Sequence, residues 1–186
     1  IKPLARRIAE IRSQGQIVHG LCLFTDAEGY TKVSEALEGN PDKLQTLMNR
    51  YFETVCAPVR DQGGIVSDIS GDSVLAIWSA GILTAKLRET VCMAALDLVA
   101  AVAQFNRTEP EYSLPTRVGL GGGPMYTGNI GAGEYFTYTP LGDIVNTASR
   151  IENLNKQLGT RLLASHLVVE DLSGVFTRRI GSFQLI

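Results

Sequence analysis

Two aspartates stand where metal chemistry could be done. Asp26 closes an apolar run, Ile-Val-His-Gly-Leu-Cys-Leu-Phe-Thr over residues 17–25, that reads as a strand. Asp72 lies in Ser70-Gly71-Asp72, between apolar runs at 65–69 and 73–78, a spacing that predicts a β-hairpin. Carboxylates brought to neighbouring strand ends make an oxygen-only site, the kind that holds Mg²⁺ or Mn²⁺ together with phosphates. After Asp26 the chain passes through Gly29-Tyr30-Thr31 into a helix expected around 33–37. The unbonded N–H groups at its start favour an anion such as a triphosphate. Either aspartate alone would be ordinary at a turn or strand end; the pair carries the argument.

The elements that must position this corner follow from periodicity. Leu44, Leu47, Met48, Tyr51, Phe52, Val55 and Val59 recur at steps of three and four after Asn40-Pro41-Asp42, predicting a long core-facing helix ended by Gly63-Gly64. A second long helix is expected over 83–105, carried by Leu87, Val91, Ala94, Ala95, Leu98, Val99 and Val102. Strands then resume, with 116–121 and 125–130 read as a pair, 135–139 as a further strand and 144–154 as a helix. The order is β, α, β, β, α, β with additional strands and helices. It predicts an α+β, ferredoxin-like core with helices covering one face of a mostly antiparallel sheet. The Gly119-Leu-Gly-Gly-Gly-Pro124 run misses dinucleotide-fingerprint spacing and predicts close backbone packing or a tight turn.

Ahead of this domain, expected over 17–186, residues 1–16 form a separate segment. Leu4, Ile8 and Ile11 lie at helical spacing among Arg6, Arg7, Glu10 and Arg12, so a short amphipathic helix is expected. It reads equally as a signal-transmitting helix and as a packing helix or linker. The chain opens at Ile1 and stops at Ile186 inside an apolar strand pattern, which predicts a piece of a longer protein with its last strands cut off.

Composition narrows the function. The 186 residues fit one domain with a sizeable core, and the net charge of −2 provides no basic field for nucleic acid. The longest apolar stretch, 91–103, is broken by Asp97 and falls short of the about 20 residues a membrane span needs. Cys22, Cys56 and Cys92 are far apart in apolar runs, predicting buried free thiols and a cytoplasmic setting. His19 and His166 are isolated and read as packing or surface residues, and Asn106-Arg-Thr108 as a chance sequon.

The motifs resemble those of one family, the class III adenylate and guanylate cyclases. Phe24-Thr-Asp26-Ala-Glu-Gly29-Tyr30-Thr31 is similar to its first metal motif. Gly63-Gly64-Ile-Val-Ser-Asp-Ile-Ser-Gly71-Asp72 is similar to the hairpin that carries its second metal aspartate. Arg117-Val-Gly119-Leu-Gly-Gly-Gly123-Pro124 and Gly128-Asn129-Ile-Gly131 resemble the following glycine-rich strands. Tyr138-Thr139-Pro-Leu-Gly142-Asp143-Ile-Val145-Asn146-Thr-Ala148-Ser149-Arg150 resembles the most diagnostic segment. The resemblance implies a cyclase converting a purine nucleoside triphosphate to its 3′,5′-cyclic monophosphate and pyrophosphate. It implies that Asp26, Asp72 and the Ala27 carbonyl hold two divalent cations, that Asn146 orients the ribose, and that Arg150 meets charge on the α-phosphate. In the family the last two come from the partner subunit, so a homodimer is implied.

The resemblance also places Asp68 and Thr139 against the base. Asp68 departs from the lysine usual in adenylate cyclases and is nearer the glutamate usual in guanylate cyclases. A carboxylate only accepts hydrogen bonds, which suits guanine N1–H and N2–H₂. Thr139 is common in bacterial adenylate cyclases and both donates and accepts. ATP is expected slightly ahead of GTP because adenylate cyclases dominate bacterial-looking sequences of this type. The triphosphate lysine that often follows the strand at Phe183-Gln-Leu185 is missing here: its position is Ile186 or lies beyond the end. That absence and Asp68 support a rival reading, an inactive cyclase-fold regulatory or dimerisation module. Asp26, Asp72, Asn146 and Arg150 together argue for the enzyme, with an upstream sensor or membrane domain in the full-length protein.

Overall fold

The computed structural model describes residues 16–132 and 135–185, with the side chains of 16 and 127–141 excepted. The N-terminal helix expected over 1–16 therefore lies outside the described residues, apart from Gln16 at the start of the first strand.

The strands are β1 (Gln16–Ala27), β2 (Ile65–Ser70), β3 (Ser73–Ala80), β4 (Thr116–Ala132), β5 (Tyr135–Leu141) and β6 (Leu162–Ala164). The helices are α1 (Tyr30–Ala36), α2 (Pro41–Asp61), α3 (Ala85–Thr108), α4 (Asp143–Leu158) and α5 (His166–Val169). The sheet runs β2-β3-β1-β4-β5, with β6 joining β4 in parallel. All other pairings are antiparallel, and the order of the first four strands is that of a ferredoxin-like βαββαβ unit.

Local signals explain the long helices. The Asn40 side chain accepts from Lys43 N at 3.1 Å with Pro41 at the first turn, and Thr84 accepts from Leu87 N at 3.2 Å. α2 buries Leu47, Tyr51, Val55 and Val59, and α3 buries Val91, Ala94, Ala95 and Leu98. Both meet Leu21, Leu23, Val74 and Val118 on one face of the sheet. The opposite face is covered by α4, which packs Ile144 and Ala148 on Cys22, Ile77 and Met125. Helices thus lie on both faces, not one: α4 is an addition after the βαββαβ unit.

The segments 116–121 and 125–130 are not a pair. They are halves of one 17-residue strand, β4, which pairs with β1 from Gln16↔Thr127 to Ala27↔Thr116. Of the two readings of the glycine run, close backbone packing holds and the tight turn does not: the glycines let a helix approach. A Cβ on Gly119 would stand 2.2 Å from the Ala148 carbonyl oxygen, so α4 rests on the β4 backbone itself. Pro124 falls between the pairings to β6 and β5, where the outer edge of β4 has no partner strand among the described residues. At the other end, residues 175–185 form no strand despite their apolar pattern, because a strand needs a neighbouring edge to bond. β6 and α5, which carry little periodicity, are present instead.

Candidate active site

Asp26 lies one residue from the end of β1, on the same face as Cys22 and Phe24 and therefore beneath α4. Asp72 sits in the two-residue turn between Ser70 and Ser73. The β1–β3 register, ending at Thr25↔Val74, carries that turn to Ala27. The Asp72 carboxylate accepts backbone N–H groups of Asp72 and Ala27. The structure thus brings Asp26, Ala27 and Asp72 together as the hairpin reading expects.

The electrostatics of the two carboxylates differ. Burial first, and then the nearby Asp26 charge, hold the Asp72 carboxyl above the usual carboxylate range. Among the described residues no cation lies within ion-pair distance of Asp72. Asp26 is paired: Arg117 Nη2 donates to its Oδ2 at 2.5 Å, and Lys156 Nζ stands 3.9 Å away. An all-oxygen donor set carrying one uncompensated carboxylate fits a hard divalent cation. No third His, Cys, Asp or Glu side chain joins them as a ligand cluster among the described residues. Further ligands would have to come from the Ala27 carbonyl, water or phosphate.

Gly29 caps α1 in a left-handed conformation (φ 89°) that other residues rarely adopt, with no side chain bonded to the helix start. The first-turn N–H groups beside Tyr30 and Thr31 therefore have no side-chain cap. The seven-residue helix has only a small dipole, so anion affinity there rests on those N–H groups.

A β-bulge decides where Asp68 lies. Val66 pairs with Ala76 and Asp68 with Leu75, leaving Ser67 as the extra residue. Asp68 consequently shares the face of Leu75 and Phe24, which is also the face of Asp26, and it is exposed. Without the bulge it would point toward α2. Thr139 pairs with Gly128 in the β4–β5 ladder, and its side chain lies outside the described residues.

Asn146 and Arg150 are not part of this corner in one chain. α4 buries Ile144, Ala148, Ile151, Glu152 and Asn155, which leaves Asn146 and Arg150 exposed on the opposite side of the helix. They face away from the sheet that carries Asp26.

Several charged residues beside Asp26 escape a motif-based reading. Arg117, directly opposite Asp26 in the β1–β4 register, is 6% exposed and donates also to Glu152 (2.9 Å) and Glu28 (3.3 Å). Burial alone would lower its pKa, but the Glu152 and Asp26 carboxylates outweigh that and raise it. Glu28 also accepts from Arg161 at 2.9 Å, and this contact holds its carboxyl below the usual range. The one available signal is an arginine inside a buried strand, which demands a counter-charge.

Comparison with known proteins gives the family and the fold. The adenylate and guanylate cyclase catalytic domain matches residues 17–177. Adenylate cyclase 1 of Rhizobium meliloti (strain 1021) is 35% identical over 150 residues, covering 79% of this chain and 22% of its own. Adenylate cyclase of Anabaena cylindrica is 32% identical over 161 residues, covering 81% and 30%. The chain thus spans less than a third of these relatives. A bacterial light-regulated adenylyl cyclase superposes with a TM-score of 0.82 at 25% identity, over 98% of this chain and 58% of that one. The adenylyl cyclase CyaB from P. aeruginosa, at 23% identity and a TM-score of 0.74 over 84% and 81%, shares the fold. The chain belongs to the class III adenylate and guanylate cyclase catalytic-domain family.

Proposed function

We propose that this domain converts a purine nucleoside triphosphate, ATP ahead of GTP, to the 3′,5′-cyclic monophosphate and pyrophosphate at sites shared by two copies of the chain. One observation carries the reading. Asp26 and Asp72 converge at one end of the sheet while Asn146 and Arg150 point outward from α4, so a complete constellation requires a second copy.

Asp26, Asp72 and the Ala27 carbonyl would hold two divalent cations, Mg²⁺ or Mn²⁺. When bound, these supply acidification of the ribose 3′-OH and neutralisation of phosphate charge. The uncapped N–H groups after Gly29 receive phosphate oxygens. Asn146 of one copy fixes the ribose, and Arg150, one turn later, meets charge on the α-phosphate. The bond from O3′ to the α-phosphorus forms, the bond from that phosphorus to the bridging oxygen breaks, the hydroxyl proton passes to water and pyrophosphate departs with the bridging oxygen. Asp68 accepts hydrogen bonds from the base edge, which leaves GTP as the second substrate; Thr139 is its partner there.

Adenylate cyclase names among relatives above 30% identity support ATP. Their greater length supports an upstream sensor or membrane region in the full protein. No helix among the described residues is long and apolar enough to cross a membrane, and Cys22, Cys56 and Cys92 are free and buried, in keeping with a cytoplasmic domain.

Incubation with Mn²⁺ or Mg²⁺ and each of ATP, GTP, CTP and UTP, with product identification by chromatography and mass, tests the reading. A cyclic nucleotide that vanishes in Asp72→Ala is expected. No cyclic product from a folded, dimeric sample would replace the enzyme with the regulatory module.

A further inference from the structure

Between the loop after β1 and the C-terminal end of α4 lies a cleft lined by Asp26, Glu28, Gly29, Arg117, Lys156 and Arg161. Its three cations are held very differently. Arg117 is buried and tied to three carboxylates. Arg161 is hydrogen-bonded to Glu28. Lys156 is half-exposed, stands beyond hydrogen-bond distance of Asp26 at 3.9 Å, and among the described residues otherwise donates only to Asn153 Oδ1, at 3.2 Å. It is the one cation of the cleft on a long flexible stem with a slack hold.

Resting on the cyclase reading above, we propose that Lys156 is a triphosphate-binding residue on the chain that carries Asp26 and Asp72, one that leaves Asp26 for phosphate oxygens when a divalent cation takes the carboxylate. The exchange follows from charge. Asp26 loses its attraction for Lys156 once a divalent cation neutralises it, and the two cations then repel. A triphosphate bound beside Gly29 brings several negative charges into the same cleft. Leaving an exposed ion pair costs little, whereas a charge-assisted bond to phosphate is short and strong.

The consequence has two signs. In Lys156→Gln, Mn²⁺ alone, followed by electron paramagnetic resonance, is expected to bind about two- to fivefold more tightly because a competing cation is gone. The non-cyclisable α,β-methylene ATP, titrated with Mn²⁺ by calorimetry, is expected to bind about tenfold more weakly, with Lys156→Arg close to the unsubstituted protein. Failure of either half, or both affinities moving in one direction, overturns the role of Lys156. An unsubstituted protein that binds no Mn²⁺-nucleotide would instead overturn the cyclase reading and this role with it.

Discussion

Asp26 and Arg117 face each other across the β1–β4 ladder, and the same guanidinium reaches Glu152 on α4, so one buried arginine ties the Asp26 carboxylate to the helix that carries Asn146 and Arg150. Removing it leaves Glu152, 1% exposed, as a buried carboxylate without its cation. Arg117→Met is therefore expected to cost about 3–5 kcal/mol in urea unfolding, with much of the loss recovered in Arg117→Met/Glu152→Met. A loss below about 1 kcal/mol in the single variant would mean that the triad does not hold α4 in place.

The outward position of Arg150 makes a prediction about mixed dimers. Asp72→Ala and Arg150→Ala should each be inactive alone, because every site then lacks one of its halves. Random exchange gives half heterodimers, each with one intact site of two, so an equimolar mixture should recover about a quarter of the unsubstituted rate. No recovery in a mixture whose subunits demonstrably exchange would place both residues in one chain's site.

How much of this corner could be read from residue order depends on how local each signal is. Asp26 and Asp72 were legible because a strand period and a hairpin turn place them within a few residues of their own context. α2 and α3 were legible from their apolar spacing and caps. Arg117 was not, since its partners Asp26 and Glu152 lie far away in sequence and meet it only once β1, β4 and α4 have packed. The bulge at Ser67 was equally hidden, because register depends on the neighbouring strand. The split of β4 into two strands failed because the glycine run answers to the approach of α4, as its close-packing reading expected, and not to chain direction.

That bulge bears on the proposed base contact. Asp68 shares the face of Asp26 and is exposed, so its replacement is expected to act on recognition rather than packing. Asp68→Lys is expected to raise the ratio of ATP to GTP turnover by about tenfold or more, since a cation can face the adenine N1 lone pair but repels guanine N1–H. An unchanged ratio in steady-state rates would remove Asp68 from the base pocket.

Asp72 should cost the metal-free protein stability. Its folded pKa lies above the unfolded value, so the folded state binds the proton more tightly. That stabilisation is full below the unfolded pKa and is lost as pH rises through the folded one. At neutral pH the ionised group is a burden shared with Asp26. With EDTA present, Asp72→Asn is expected to raise Tm by about 1–3 °C, a modest value because the group is partly screened by solvent. A lower Tm would show that the N–H bonds from Asp72 and Ala27 outweigh burial and repulsion.

Gly119 offers the most direct test of how α4 is seated. A Cβ there would meet the Ala148 carbonyl oxygen at 2.2 Å and the Glu152 nitrogen at 2.4 Å, both backbone atoms that no side-chain rotation can move aside. Gly119→Ala must push α4 outward, and with it Asn146 and Arg150 on its far side and Glu152 beneath Arg117. We expect about 1–3 kcal/mol of lost stability and, because a shift near 1 Å is enough to misplace reacting groups, a fall in turnover of about a hundredfold. Gly39→Ala, where a Cβ meets nothing within 4 Å, is the matched control and should stay within about 0.5 kcal/mol with full turnover. If Gly119→Ala behaved like its control, the helix would not rest on the strand backbone, and the seating of α4 would need another explanation.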